Sequence, residues 1–139
     1  MARFSWEGGC HCGNLTVRFE SDRTPAELGV RTDTCSFCKK HQVRSTSDAA
    51  GALHFRAADP SLVERYRFGT RTADFLVCRR CGVYVGACMD ALGVVNVNVL
   101  DGRDEFLAQP LKVADFDGES VEQRLVRRRS RWTPIVTAL

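Results

Sequence analysis

Six of the seven cysteines in this 139-residue chain stand in three close clusters: Cys10-His11-Cys12, Cys35-Ser36-Phe37-Cys38 and Cys78-Arg79-Arg80-Cys81, with Cys88 apart. Thiolates at such spacing can turn their sulfurs toward one point, as a zinc ion with Zn–S bonds of ~2.3 Å requires. In an extended segment Cys10 and Cys12 share a face, because side chains at i and i+2 point the same way. Cys78-x-x-Cys81 is followed by Gly82, which takes a turn conformation at no steric cost and lets backbone N–H groups aim at the thiolates. A closed tetrahedral site needs four ligands, so three two-thiol half-sites exceed one centre. The surplus pair implies a second, incompletely filled ion where an outside ligand can bind and react. Spacing alone allows any two of the half-sites to share an ion. Buried free thiols are the rival reading, and clusters at ligand spacing weigh against it.

The residues around Cys35 and Cys38 fill out that second site. If residues 33–35 are extended, Asp33 and Cys35 share a face and Cys38 returns on the following turn. Asp33, Cys35 and Cys38 then converge on one ion, with a fourth position open to water or a substrate thiol. A carboxylate is a sound zinc ligand at ~2.0–2.2 Å. It is harder than a thiolate, so the ion is held less tightly and is a better Lewis acid. The alternative is that Asp33 or Thr34 caps the helical turn that starts near Ser36. His41 is a weaker substitute ligand, His11 points away from its cysteine neighbours, and His54 sits in a strand pattern as a structural residue. Lys39, Lys40 and Arg44, just beyond the thiols, are candidates to hold carboxylates of a bound substrate, against the reading of a solvated basic pair. Cys88 reads as a small buried hydrophobe on a strand.

The elements that must position these groups are mostly short strands. Leu15, Val17 and Phe19 alternate with polar residues, as do Val83, Val85 and Ala87, and Val95, Val97 and Val99 against Asn96 and Asn98. Weaker strand signals cover 28–34, 53–56, 63–68 and 72–77, divided by turn signals at Gly8-Gly9, Asp59-Pro60, Gly69 and Asp101-Gly102. Helix is expected only over 36–41, one turn, and over 119–131, with Val121 and Leu125 on one face. The segment from Trp132 to Val136 closes the fold as an extended piece pinned by its indole. No linker, repeat or low-complexity stretch interrupts the chain, which reads as a single domain over 1–139.

Composition narrows the function classes. At 15.5 kDa and 44% hydrophobic the chain is large and apolar enough for a core, though small β domains often lean on metals. Twenty basic against 17 acidic side chains leave a net charge of +3, well short of a nucleic-acid coat protein. No apolar run approaches the ~18 residues of a membrane span. The first residues lack a secretory hydrophobic core, so a cytoplasmic, reducing setting is expected, where close cysteines are metal ligands rather than disulfides. The odd cysteine count agrees with that.

Gly8-Gly9-Cys10-His11-Cys12-Gly13 with its following strand, then Cys35-Ser36-Phe37-Cys38-Lys39-Lys40, then Cys78-x-x-Cys81-Gly82 resemble, in order over residues 8 to 100, the glutathione-dependent formaldehyde-activating enzyme family. Gly93 to Asp101 and Trp132-Thr133-Pro134 add to the likeness. The resemblance implies a mainly β, zinc-stabilised β-tent fold of several small antiparallel sheets with short helical segments. It further implies two zinc sites, with Cys10, Cys12, Cys78 and Cys81 as the structural set. The catalytic zinc of the family is held by Cys-x-Cys-x-x-Cys, whose last two positions match Cys35 and Cys38. The first position is Asp33 here. The implied activity is that of a carbon–sulfur lyase or synthase joining glutathione and formaldehyde as S-hydroxymethylglutathione, so a small thiol and an aldehyde are the expected partners.

Two other readings stand beside it. One is a zinc-binding scaffold that kept the fold and lost the catalytic ion. The other is a nucleic-acid binder, suggested by Arg127-Arg128-Arg129-Ser130-Arg131. It ranks last, because such a run usually marks the solvated face of a helix and lacks interleaved stacking aromatics other than Trp132.

Overall fold

The computed structural model describes residues 2–139. Its strands are β1 Phe4–Gly9, β2 Leu15–Ser21, β3 Val30–Asp33, β4 Ser45–Thr46, β5 Ala52–Ala57, β6 Val63–Tyr66, β7 Asp74–Cys78, β8 Tyr84–Met89, β9 Leu92–Asn96, β10 Leu111–Ala114 and β11 Thr133–Thr137. The helices are short: α1 Pro25–Leu28, α2 Ser36–His41, α3 Asp104–Leu107 and α4 Val121–Arg131. The mainly β expectation is met. The strands join in one branched, largely antiparallel network with the order β1-β2-β5-β11-β9-β4-β3-β10, and β6-β7-β8 attach to β9. Two pairings, β10 with β3 and β11 with β5, are parallel. At β9 the network forks: β8 pairs along it, while β11 meets Leu92 and Gly93 and β4 meets Val95 and Asn96.

Alternation along β2 buries Leu15, Val17 and Phe19 against Leu53 and Phe55 of β5. Trp6 of β1 and Phe106 of α3 complete that cluster with a ring-edge contact at 5.0 Å. Gly8 permits β1 to lie on the backbone of Val99 and Leu100, which a Cβ would strike. A second cluster forms under α2, where Phe37 packs on Phe68, Phe75 and Tyr84 at centroid distances of 5.4, 4.9 and 5.0 Å. Phe37 therefore fixes α2, and the thiol of Cys38 with it, on the β7–β8 pair.

Several boundaries differ from expectation for local reasons. The strand signal over 28–34 starts late, because Thr24 and Glu27 form a capping box that makes 25–28 helical. The alternation from Val95 to Val99 stops being strand at Asn96. Its buried side chain donates to the Tyr84 carbonyl at 2.9 Å and accepts from the Asn98 N–H at 3.2 Å, turning Val97–Val99 into a 3₁₀ turn. Helix α4 is capped by Ser120 with Gln123. Its inward face carries Arg124, Leu125 and Arg128 rather than Val121, which is 48% exposed. The terminal segment does more than close the fold: β11 lies between β5 and β9, with Trp132 buried before it.

Candidate functional site

Two structures bring the first cysteine set together. Cys10 directly follows β1 and Cys12 lies in the turn to β2, where the Cys10 N–H donates to the Leu15 carbonyl at 2.9 Å and the Leu15 N–H donates to Cys10 Sγ at 3.2 Å. Cys78 ends β7, and Cys81 follows in the turn to β8. That turn closes by Gly82 N–H donating to the Cys78 carbonyl at 2.8 Å, with Gly82 at φ 78°. The β1–β2 and β7–β8 turns meet so that the sulfurs of Cys10, Cys12, Cys78 and Cys81 all lie within 4.8 Å of one another. Cys10 and Cys12 are 3.7 Å apart, Cys12 and Cys78 3.6 Å. A zinc tetrahedron with ~2.3 Å bonds has sulfur–sulfur edges of ~3.8 Å. The four thiols fit that ion.

Their protonation shows why a cation suits them. Burial pushes the Cys10 thiol up to about 11. Cys81 feels burial too, but the backbone N–H groups of Cys12 and Val83 and the Cys78 and Cys10 thiols bring it down to about 6. Cys81 ionises readily while the buried Cys10 resists. A divalent ion removes that conflict.

The third cysteine pair sits elsewhere. Cys35 is the N-cap of α2, its Sγ accepting from the Cys38 N–H at 3.4 Å. Neither Asp33 nor Thr34 occupies the cap position. The Asp33 carboxylate instead accepts from the Cys35 N–H at 2.9 Å. Among the described residues, the four-thiol set is the group whose ligand atoms gather within 4.8 Å, and Asp33, Cys35 and Cys38 do not gather so. The two thiols are nonetheless linked. Interaction with Cys38 lowers the Cys35 thiol to about 7, and the same contact, with burial, pushes Cys38 strongly up.

Asp33, Cys35 and Cys38 open onto a cavity of about 70 Å³, walled by Arg31 of β3, Tyr84 of β8, Arg128 of α4 and Trp132. Arg128 is only 7% exposed. Its Nη1 donates to Thr72 Oγ1 at 2.7 Å and touches Met89 Sδ at 3.8 Å, while its guanidinium lies 4.9 Å from the Trp132 ring centroid. Its Nε is buried without a partner. Arg31 Nη2 donates to Ser47 Oγ at 2.9 Å. Burial, and after it the charges of Arg127 and Arg131, bring Arg31 down to about 10. Arg128 comes to about 10 by burial first, then Arg124 and Arg127. Both stay cationic at neutral pH. Burial and the nearby thiols raise the Tyr84 hydroxyl well above 10, so it remains a donor.

Other expected site residues lie away from this cavity. Lys39 and Lys40 are exposed on α2, Arg44 is half-buried after it, and none of the three lines the cavity. His41 is exposed, stacked on Phe37 at 4.2 Å with Nδ1 at 3.1 Å from the Phe37 carbonyl. His54 is a structural residue, 2.8 Å from Thr137 Oγ1 and 3.0 Å from Glu20 Oε1. Cys88 borders a separate cleft with Arg65 and Asp74, its thiol raised by burial. Sequence reasoning missed Arg31, Tyr84 and Arg128. The signal for Arg128 lay in its spacing four residues after Arg124, beside Leu125, on the face that α4 turns inward.

No helix among the described residues is long and apolar enough to cross a membrane. The model of a family described as glutathione-dependent formaldehyde-activating enzyme matches residues 5–112. The chain is also similar to a protein of Rhodobacter sphaeroides known from a crystal structure. The two share 28% identity with a TM-score of 0.62, over 78% of this chain and 99% of that one.

Proposed function

Since the chain belongs to the glutathione-dependent formaldehyde-activating enzyme family, we propose that it is a zinc-dependent carbon–sulfur synthase or lyase acting on adducts of glutathione and a small aldehyde. The observation that carries this reading is the small cavity onto which Cys35 and Cys38 open, separate from the four-thiol centre. Cys10, Cys12, Cys78 and Cys81 hold a structural zinc and tie the β1–β2 turn to the β7–β8 turn. Cys35 and Cys38, with Asp33 turned from the Cys35 N–H, hold the second ion. When bound there, zinc supplies the Lewis acidity that makes a coordinated thiol ionise near neutral pH and polarises a carbonyl.

The remaining work falls to the chain itself. Trp132, Tyr84 and Phe75 wall the cavity against water, so a small aldehyde meets the thiol in a confined space. Thiol adds to carbonyl carbon, the new C–S bond forms, and the thiol proton ends on the former carbonyl oxygen. The Tyr84 hydroxyl, kept protonated by its burial, donates to that oxygen as charge develops. Lys39 and Lys40 are exposed on α2 and Arg44 follows it, positions from which they meet glutathione's carboxylates outside the cavity.

The hydrogen bond from the Cys35 N–H to Asp33 favours a second reading, a scaffold with the structural zinc alone. Zinc content separates the two. The enzyme carries two ions per chain, and Asp33→Ala releases one while the protein stays folded. One ion per chain, indifferent to Asp33→Ala, supports the scaffold. Exchange spectroscopy of formaldehyde with glutathione then measures turnover. Two bound ions with no rate gain over buffer sink the reaction named here.

A further inference from the structure

The cavity beside Cys35 and Cys38 carries more positive charge than its own acids balance. Among the described residues, Arg31 and Arg128 make no ion pair, whereas their neighbour Arg127 is paired with Glu119 through contacts of 2.9 and 3.1 Å, a carboxylate it shares with Arg124. The carboxylate that faces both arginines from the cavity wall is Asp33. Two guanidiniums against one carboxylate leave an excess of one positive charge among Phe75, Tyr84, Val94 and Trp132. A buried cation without a counter-charge is costly, and a site that keeps one is poised for an anion. Arg128 makes the point most directly, since it is 7% exposed and its Nε has no partner. A guanidinium's planar fork of donors matches a carboxylate.

We infer that Arg31 and Arg128 form a carboxylate pocket for the aldehyde, so that the preferred electrophile is a small 2-oxo acid of the glyoxylate class rather than an uncharged aldehyde. The inference rests on the carbon–sulfur reading above and specifies its second substrate. Size agrees with it. A water occupies ~10–15 Å³ on a comparable scale, so about 70 Å³ admits a two-carbon oxo acid and excludes the body of a tripeptide. The addition balances without an oxidant or reductant: thiol and glyoxylate give the 2-hydroxy-2-thio acid, with a new C–S bond and the thiol proton on the former aldehyde oxygen. Arg31 and Arg128 hold the carboxylate and leave the aldehyde carbon toward the Cys35–Cys38 side. The same chemistry exists on the thiol partner, because glutathione also bears carboxylates, and the test must tell the two sources apart.

The zinc-loaded protein is assayed with glutathione and three aldehydes: glyoxylate, glycolaldehyde of equal length without charge, and formaldehyde, each corrected for its free carbonyl fraction. The expected result is a kcat/KM for glyoxylate at least tenfold above that for glycolaldehyde, with glycolate inhibiting competitively against aldehyde. The Trp132 indole N–H resonance shifts on titration with glycolate, an effect lost in Arg128→Met and reduced in Arg31→Met. In Arg128→Lys, which keeps the charge, it partly returns. Equal kcat/KM values for glyoxylate and glycolaldehyde overturn the inference while formaldehyde turnover leaves the family reaction standing. Glycolate competing against glutathione alone assigns the pocket to the thiol's carboxylate and overturns it too. If no aldehyde is turned over, the carbon–sulfur reading falls and the substrate assignment with it, whatever glycolate does. The wild-type comparison of two aldehydes does not depend on any variant folding.

Discussion

Cys35 and Cys38 differ from the other four clustered cysteines in what surrounds them. Cys10, Cys12, Cys78 and Cys81 come from two turns that face each other, and their sulfurs meet with the edges of a tetrahedron. Cys35 and Cys38 come from one helical turn and face a cavity, so their remaining partners must come from outside the pair. Tyr84 is the cavity's protonated donor. Tyr84→Phe removes that hydroxyl while keeping the ring against Phe37, so kcat is expected to fall by ~10²-fold or more with the melting temperature nearly unchanged. A variant of full activity removes Tyr84 from the proposed step. Gly82 holds φ at 78°, a conformation that costs an L-residue about 1–2 kcal/mol. Gly82→Ala is therefore expected to lose about that much stability by denaturant titration, even though no atom lies within 4 Å of the added methyl. The cysteine types and spacings were legible in the sequence, and so was the α2 turn. The direction of Asp33 was not, since an extended residue before a helix serves equally as ligand or as backbone cap.

At the scale of elements, α4 shows how a charged helix can face inward. Read as a string, Arg127 to Arg131 is a solvated face. In the fold, Glu119 ahead of the helix clamps Arg124 at 3.3 Å and Arg127 at 2.9 Å, and Arg127 lies over the Phe116 ring at 3.5 Å. With those two charges occupied, Leu125 and Arg128 turn to the β8–β9 side. The hydrogen bond from Arg127 holds the Glu119 carboxyl below its ordinary 4.5, Arg124 adding to the effect. A depressed folded pKa contributes stability that is present above the unfolded value and is lost as pH falls through the folded one. Glu119→Gln is thus expected to destabilise by about 1 kcal/mol at neutral pH and to flatten the stability profile below pH 4.5. An unchanged acid limb in circular-dichroism melts refutes the clamp. The β1 and β10 strands were not legible from alternation. β1 carries aromatics and glycines whose burial comes from α3 and the Val99–Leu100 backbone, and β10 is exposed along Leu111, Lys112 and Val113, held by its pairing with β3.

For the whole molecule, the four-thiol centre joins distant parts of the chain, since Cys12 and Cys78 are 66 residues apart in sequence. An ion there closes a long loop and binds the folded state alone, so its affinity adds to stability. Removing zinc with a strong chelator is expected to lower the melting temperature by ~7–14 degrees, as ~2–4 kcal/mol does in a domain of this size, and restored zinc should reverse the loss. Cys78→Ser should mimic removal, with a comparable general loss of stability rather than selective loss of turnover. A Cys78→Ser protein that melts cooperatively at the wild-type temperature contradicts the structural role. The sequence by itself determined which residue types can hold metal, that β structure dominates, and where α2 and α4 lie, because these depend on spacing and local periodicity. Only the tertiary structure decided that β11 enters between β5 and β9 and that Arg31 and Arg128 face the thiols across one cavity. Those placements arise from contacts between segments far apart in the chain, where burial and charge, not local pattern, choose the neighbour.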